Sequence, residues 1–170
     1  MRLDLDFLQF QPKLRLSQTA ESAFVYDPIR RKEVALTPEE LLRQLVLLYL
    51  LEAQQYPANR IRSEVGILVN GMSARCDLVV FDAAVKPWLL VECKSPKVAL
   101  TQKTFEQAAR YNLRLRAPFM AVTNGLVTYC AALNFEQETF EYLSALPDFP
   151  STKSVITPGQ TPLVQPPIIE

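Results

Sequence analysis

Two short apolar runs, each with its own acids, lie close together in the chain: Asp77-Leu-Val-Val-Phe-Asp82 and Trp88-Leu-Leu-Val-Glu92-Cys-Lys94. Runs of this length and composition read as adjacent strands. Strand side chains alternate between faces, so Glu92 and Lys94 point one way while Cys93 points the other way with Leu89 and Val91. A carboxylate and an ammonium at the end of an apolar strand are costly to bury without compensation. Two forms of compensation fit the residues. One is a strand-edge ion pair between Lys94 and either acid. The other is a divalent cation shared by Asp77 and Glu92, with Lys94 beside an attacking water.

Composition narrows the chemistry further. The chain has 170 residues, 49% of them hydrophobic, enough for one sizeable core. It contains no histidine, which excludes Ser-His-Asp and Cys-His catalysis and histidine-ligated zinc. Cys76, Cys93 and Cys130 are odd in number and lack C-x-x-C spacing, so buried free thiols are expected. A metal site here is therefore oxygen-rich, which favours Mg²⁺ or Mn²⁺. The 18 bases and 18 acids cancel, but they are unevenly placed. Between Ala84 and Arg116 lie Lys86, Lys94, Lys97, Lys103, Arg110, Arg114 and Arg116 against only Glu92 and Glu106. Such a segment suits a phosphate backbone or a solvated helix face. Residues 133–150 reverse the balance, with Glu136, Glu138, Glu141 and Asp148 and no base. No apolar run approaches the ~20 residues that span a bilayer, and the N-terminus has acids where a signal peptide is apolar. A soluble cytoplasmic protein is the expectation.

The pass along the chain gives an α/β order. Residues 1–36 read as a β-hairpin extension, with Ala23-Phe-Val-Tyr turning at Asp27-Pro28 and returning through Arg30 to Leu36. Thr37-Pro38-Glu39-Glu40 supplies an N-cap, a first-position proline and first-turn acids for a helix to about Gln55. Strands are expected at 60–69, 76–82 and 87–93, the first two joined at Asn70-Gly71. A second helix over 101–116, capped by Thr101, precedes strands at 119–123 and 126–133 joined across Asn124-Gly125. Phe140-Glu-Tyr-Leu143 adds a short final strand. Residues 1–146 form the expected domain. Six of the 13 prolines fall in 147–170, which reads as an extended tail.

Asp77, fourteen intervening residues and Glu92-x-Lys94 resemble the PD-(D/E)xK nuclease signature. Gln107-Ala-Ala-Arg-Tyr111 is similar to the Q-x-x-x-Y motif of the RecB-like branch. With Thr123-Asn124-Gly125, the stretch from about 36 to 133 resembles the N-terminal nuclease domain of type I restriction enzyme R proteins. The resemblance implies a restriction-endonuclease-like α-β-β-β-α-β core with a mixed central sheet. It implies metal-dependent hydrolysis of DNA, with Asp77, Glu92 and Lys94 catalytic. Asp77, Glu92 and the Cys93 carbonyl would then bind Mg²⁺ or Mn²⁺, with Glu40 of the first helix as a further candidate. Gln107 and Tyr111, one turn apart, would support the substrate, and Arg43, Lys97 and Lys103 are candidate phosphate contacts. Glu39 is a weaker candidate than Glu40, and either reads equally well as a dipole-matched first-turn acid. Glu64 reads as an ion-pair partner of a neighbouring base, and Asp82 as a strand-end acid. The translocase of R proteins is not part of these residues, so DNA and a separate translocase or restriction subunit are the expected partners. The alternative is a module of the same fold that binds nucleic acid or protein without cutting.

Overall fold

A mixed seven-stranded sheet organises the molecule, in the order β1-β9-β8-β7-β6-β5, with β10 also pairing β9. The computed structural model describes residues 1–69 and 71–150. The strands are β1 (Arg2–Leu3), β5 (Ile61–Val69), β6 (Met72–Phe81), β7 (Pro87–Cys93), β8 (Phe119–Thr123), β9 (Thr128–Asn134) and β10 (Thr139–Tyr142). Antiparallel pairing runs throughout except between β7 and β8, which are parallel. That pair is joined by the crossover helix α2 (Gln102–Leu115). From the first helix, α1 (Pro38–Glu52), the order is α-β-β-β-α-β, a restriction-endonuclease-like core.

The helices cover opposite faces of the sheet. Leu42, Leu45, Val46 and Leu50 of α1 pack with Leu78, Val80, Leu89, Val91 and Cys93. Phe105 and Ala108 of α2 pack with Cys76, Val79, Leu90, Met120 and Val122. Leu89, Val91 and Cys93 against Leu90 is the period-two alternation of a strand buried on both sides. Each fully buried Leu or Val contributes roughly 1.5–3 kcal/mol. The three thiols are all buried and free. Burial pushes Cys76 and Cys130 up to about 12 and Cys93 well above its ordinary value, so none is a nucleophile.

Local chemistry fixes the helix ends. The Thr37 hydroxyl accepts the Glu40 N–H, with Pro38 in the first turn of α1. The helix ends at Glu52, three residues earlier than expected, because Gln55 takes φ 56° and the Tyr56 N–H turns back to the Leu50 carbonyl. Thr101 and Thr104 cap α2 reciprocally. At its other end Arg116 is left-handed, and buried Asn112 clamps Ala117, donating to its carbonyl at 2.8 Å and accepting its N–H at 2.9 Å. Asn112→Ala leaves both groups unpaired, so we expect a loss of about 2 kcal/mol. A thermal melt reads this as a midpoint lower by about 5 °C.

The expected hairpins are present. Val69 pairs with Met72, so β6 starts four residues before the expected Cys76. Asn124 accepts the Leu126 and Val127 N–H groups, at 3.0 and 2.9 Å, in the turn between β8 and β9. Gly125 there has φ 85°, where any other residue is strained, and a Cβ would press the Leu42 side chain of α1 from 3.1 Å. The N-terminal hairpin is β3 (Ala23–Asp27) with β4 (Lys32–Ala35), extended by β2 (Leu16–Gln18) into a separate three-stranded sheet. β1 instead joins the main sheet, its Arg2 opposite Tyr129.

Leu146 is buried, the Tyr56 hydroxyl donates to the Pro147 carbonyl, and Phe149 packs on the Tyr56 ring. The rest of the expected proline-rich tail, 151–170, lies outside the described residues. Among the described residues no helix is long and apolar enough to cross a membrane.

Candidate active site

Asp77, in the middle of β6, and Glu92, near the end of β7, come from adjacent strands and are both buried. β7 carries Glu92 at its penultimate position, paired with Val122 of β8. Lys94 follows directly. Its N–H donates to the Thr123 carbonyl at 2.8 Å, and its ammonium lies 3.7 Å from Glu92 Oε2. The other Glu92 oxygen, Oε1, is buried with no hydrogen-bond partner. Burial, and then the negative charge of Asp77, push the Glu92 carboxyl up to about 8 against the opposing pull of Lys94. The Asp77 backbone N–H pulls the same way as Lys94, but burial outweighs them both.

Asp77 is better served. Its Oδ1 accepts from Arg43 Nε at 3.0 Å and Nη2 at 2.6 Å, and its Oδ2 accepts the Cys93 N–H at 2.8 Å. Burial works against the charge of Arg43, but Asp77 and Glu40 outweigh it and raise the guanidinium pKa. Arg43 Nη1 donates to Glu40 Oε2 at 2.5 Å. Glu40 Oε1 in turn accepts from Arg30 Nη2 and Gln44 Nε2, both at 2.8 Å. Both Glu40 oxygens are therefore engaged by side chains. Glu39 is a 3.6 Å neighbour of Arg43 and half exposed.

The ion-pair network extends to two residues, Asp27 and Arg30, that no sequence pattern singles out. Arg30 joins Asp27 at 2.6 Å and Glu64 at 2.5 Å as well as Glu40. Asp27, fully buried, also accepts the Ile29 and Arg30 N–H groups and Gln44. The turn signal at Asp27-Pro28 is plain in the sequence, but the partners beyond the turn, Glu40 and Gln44 of α1 and Glu64 of β5, are not. Glu64 is an ion-pair residue as expected, though its partners are Arg30, Arg43 and Arg75, whereas Arg62 donates to backbone carbonyls. It sits across from Asp77 in the β5–β6 register, between Ser63↔Leu78 and Val65↔Cys76, with φ 52°. A left-handed non-glycine inside a strand costs on the order of 1–3 kcal/mol and marks the site as locally strained.

An open cleft of about 750 Å³ lies beside this network, lined by β4, the start of α1, Arg43, Glu64 and Ser95. The remaining candidates are placed differently. Gln107 is exposed on α2, and Tyr111 is half-buried against the core under that helix. Neither is hydrogen-bonded to the acids. Lys97 and Lys103 are exposed. Asp82 accepts the Lys86 N–H in the turn after β6, the strand-end role expected of it.

Asp77 and Glu92 supply hard oxygens, and the unpartnered Glu92 Oε1 is the donor such a cation needs. The fit is limited to this pair: among the described residues no group of three or more acids or cysteines converges as a metal cluster.

Residues 38–147 match the family model described as type I restriction enzyme R protein N terminus (HSDR_N). The chain belongs to that family. The match begins at α1 and spans Asp77, Glu92 and Lys94, but leaves out Asp27 and Arg30, so the small N-terminal sheet adds part of the network from beyond it. A comparison with individual curated proteins finds no match.

Proposed function

We propose that this R-protein N-terminal domain is a metal-dependent nuclease of the PD-(D/E)xK type that hydrolyses DNA. The observation that carries the reading is Glu92: a buried carboxylate with an unpartnered oxygen, pushed up to about 8, beside Asp77 and 3.7 Å from Lys94. A cation restores the charged form of such a group, and Mg²⁺ or Mn²⁺ held by Asp77, Glu92 and the Cys93 carbonyl would neutralise the scissile phosphate. Glu40, with both oxygens engaged by side chains, ranks behind these ligands. Lys94 orients the attacking water and stabilises charge on the phosphate oxygens. Gln107 and Tyr111 of α2, with Lys97 and Lys103 of the basic segment, would support the DNA, and Arg43 of α1 would contact a phosphate from the other helix. A separate translocase or other restriction subunits would present the DNA.

The Arg43–Asp77 pair favours a second reading, in which Asp77 is neutralised internally and the domain binds DNA without cutting it. Incubation with supercoiled, linear and single-stranded DNA in Mg²⁺ or Mn²⁺ separates the two. The nuclease reading expects cleavage that chelation stops and that Asp77→Asn lowers by at least about 10²-fold. DNA binding without cleavage by the unaltered chain in either metal would leave the binding module standing.

A further inference from the structure

We propose that Arg43 couples DNA binding to cation binding, holding Asp77 until a backbone phosphate draws its guanidinium away. This inference rests on the metal-centre reading above. Both Asp77 oxygens are already hydrogen-bonded, Oδ1 to two nitrogens of Arg43 and Oδ2 to the Cys93 N–H. A cation held by Asp77 and a guanidinium already bonded to one of its oxygens at 2.6 Å repel each other, and each weakens the other's hold on the carboxylate. Arg43 therefore stands where the cation's positive charge is needed, and the two compete for one carboxylate.

The guanidinium also has somewhere to go. Arg43 lines the 750 Å³ cleft with Arg30 and Lys32, against Glu33, Glu39, Glu40 and Glu64, so a phosphate drawn in by the three bases meets its guanidinium. A planar fork suits phosphate as well as it suits carboxylate. Its Nη1 contact with Glu40 and 3.5 Å approach to Glu64 give it a second anchorage when it leaves Asp77. Two arrangements follow, Arg43 on Asp77 or Arg43 on phosphate, and the cation binds only the second tightly. By linkage, DNA must then tighten cation binding by the factor that the cation tightens DNA binding. The domain would be held metal-poor until DNA arrives.

Mn²⁺ binding, counted from the EPR signal of the free ion, tests this without turnover. It is measured on the whole chain with and without a short phosphorothioate duplex. For the unaltered chain the duplex should tighten Mn²⁺ binding by about 5- to 150-fold. Arg43→Met should bind Mn²⁺ alone about 10-fold more tightly than the unaltered chain and show coupling near unity. Circular dichroism checks its fold, and Arg43→Lys, which keeps the charge but loses the fork, gives an intermediate gain if the Met variant fails to fold. The measurement in the unaltered chain needs no variant. Glu92→Gln separates the layers of the argument. Mn²⁺ binding lost in Glu92→Gln, but uncoupled from DNA and unchanged in Arg43→Met, overturns the role of Arg43 and leaves the metal centre intact. Mn²⁺ binding insensitive to Glu92→Gln overturns both.

Discussion

Lys94→Ala should lower DNA cleavage by about 10² to 10⁴-fold while leaving the fold intact. The backbone at Lys94 is fixed independently of its side chain, because its N–H continues the parallel pairing by donating to the Thr123 carbonyl at 2.8 Å. Its side chain, 22% exposed, joins neither apolar cluster, and its ion pair with Glu92 is long at 3.7 Å. Truncation therefore removes an ammonium and little packing, and a melt should move by no more than about 2–4 °C, the equivalent of about 1 kcal/mol. What disappears is the ammonium beside Glu92, placed to hold a water and take up charge on the phosphate. Lys94→Arg should not restore the rate, since a broad planar guanidinium puts its charge and its donors in different places from a compact ammonium. Initial rates of nicking of supercoiled DNA at fixed Mg²⁺ measure the effect. A variant that cleaves as fast as the unaltered chain would remove Lys94 from the chemistry.

The legible parts of this fold are those whose cause is local. Thr37-Pro38-Glu39-Glu40 announces a helix because cap, proline and acids act within one turn, and α1 starts at Pro38. Alternation in 87–93 announces a strand buried on both faces, and Leu89, Leu90, Val91 and Cys93 are all fully or almost fully buried. Asp77, Glu92 and Lys94 are legible for the same reason: their type and spacing on neighbouring strands bring them together. The illegible parts are set by distant pairing. β1 is two residues long and exists only because β9 offers it an edge. β2 is exposed along its whole length, so no hydrophobic alternation marks it. Arg43 reads from the sequence as a phosphate contact. Its hold on Asp77, 34 residues away, depends on how α1 lies against β6, which no local pattern encodes. Asp27 and Arg30 are hidden likewise, since a buried acid looks like a turn acid until Arg30 and Gln44 close over it.

Glu92→Gln should stabilise the metal-free protein at about pH 8 and have no effect on its stability below about pH 4.5. The direction follows from where the carboxyl titrates. In the folded chain the Glu92 carboxyl is raised from 4.5 to about 8 by burial and by Asp77. Between those values the folded state keeps a proton that the unfolded chain has released, so this group's contribution to stability falls as pH rises through the window. Below the window both states are protonated and the contribution is fully present. Glutamine cannot ionise, and its amide gives Asp77 a donor where the carboxylate gives only charge. The gap between variant and parent should open from about pH 5 and flatten above about pH 8. The variant's melting midpoint should therefore stand above the parent's by at least about 5 °C at the alkaline end. Asp27 acts in the opposite sense: burial raises its carboxyl, the bonds from Arg30 and Gln44 outweigh that and lower it, and its contribution is lost only as pH falls. It therefore leaves the window above about pH 5 to Glu92. Saturating Mg²⁺ should reverse the ranking at the alkaline end, raising the parent's midpoint and leaving that of Glu92→Gln nearly unmoved. Parallel pH profiles for the two proteins would show that Glu92 is ionised and compensated in the fold without a cation. The argument for a cation at this carboxylate would then fail.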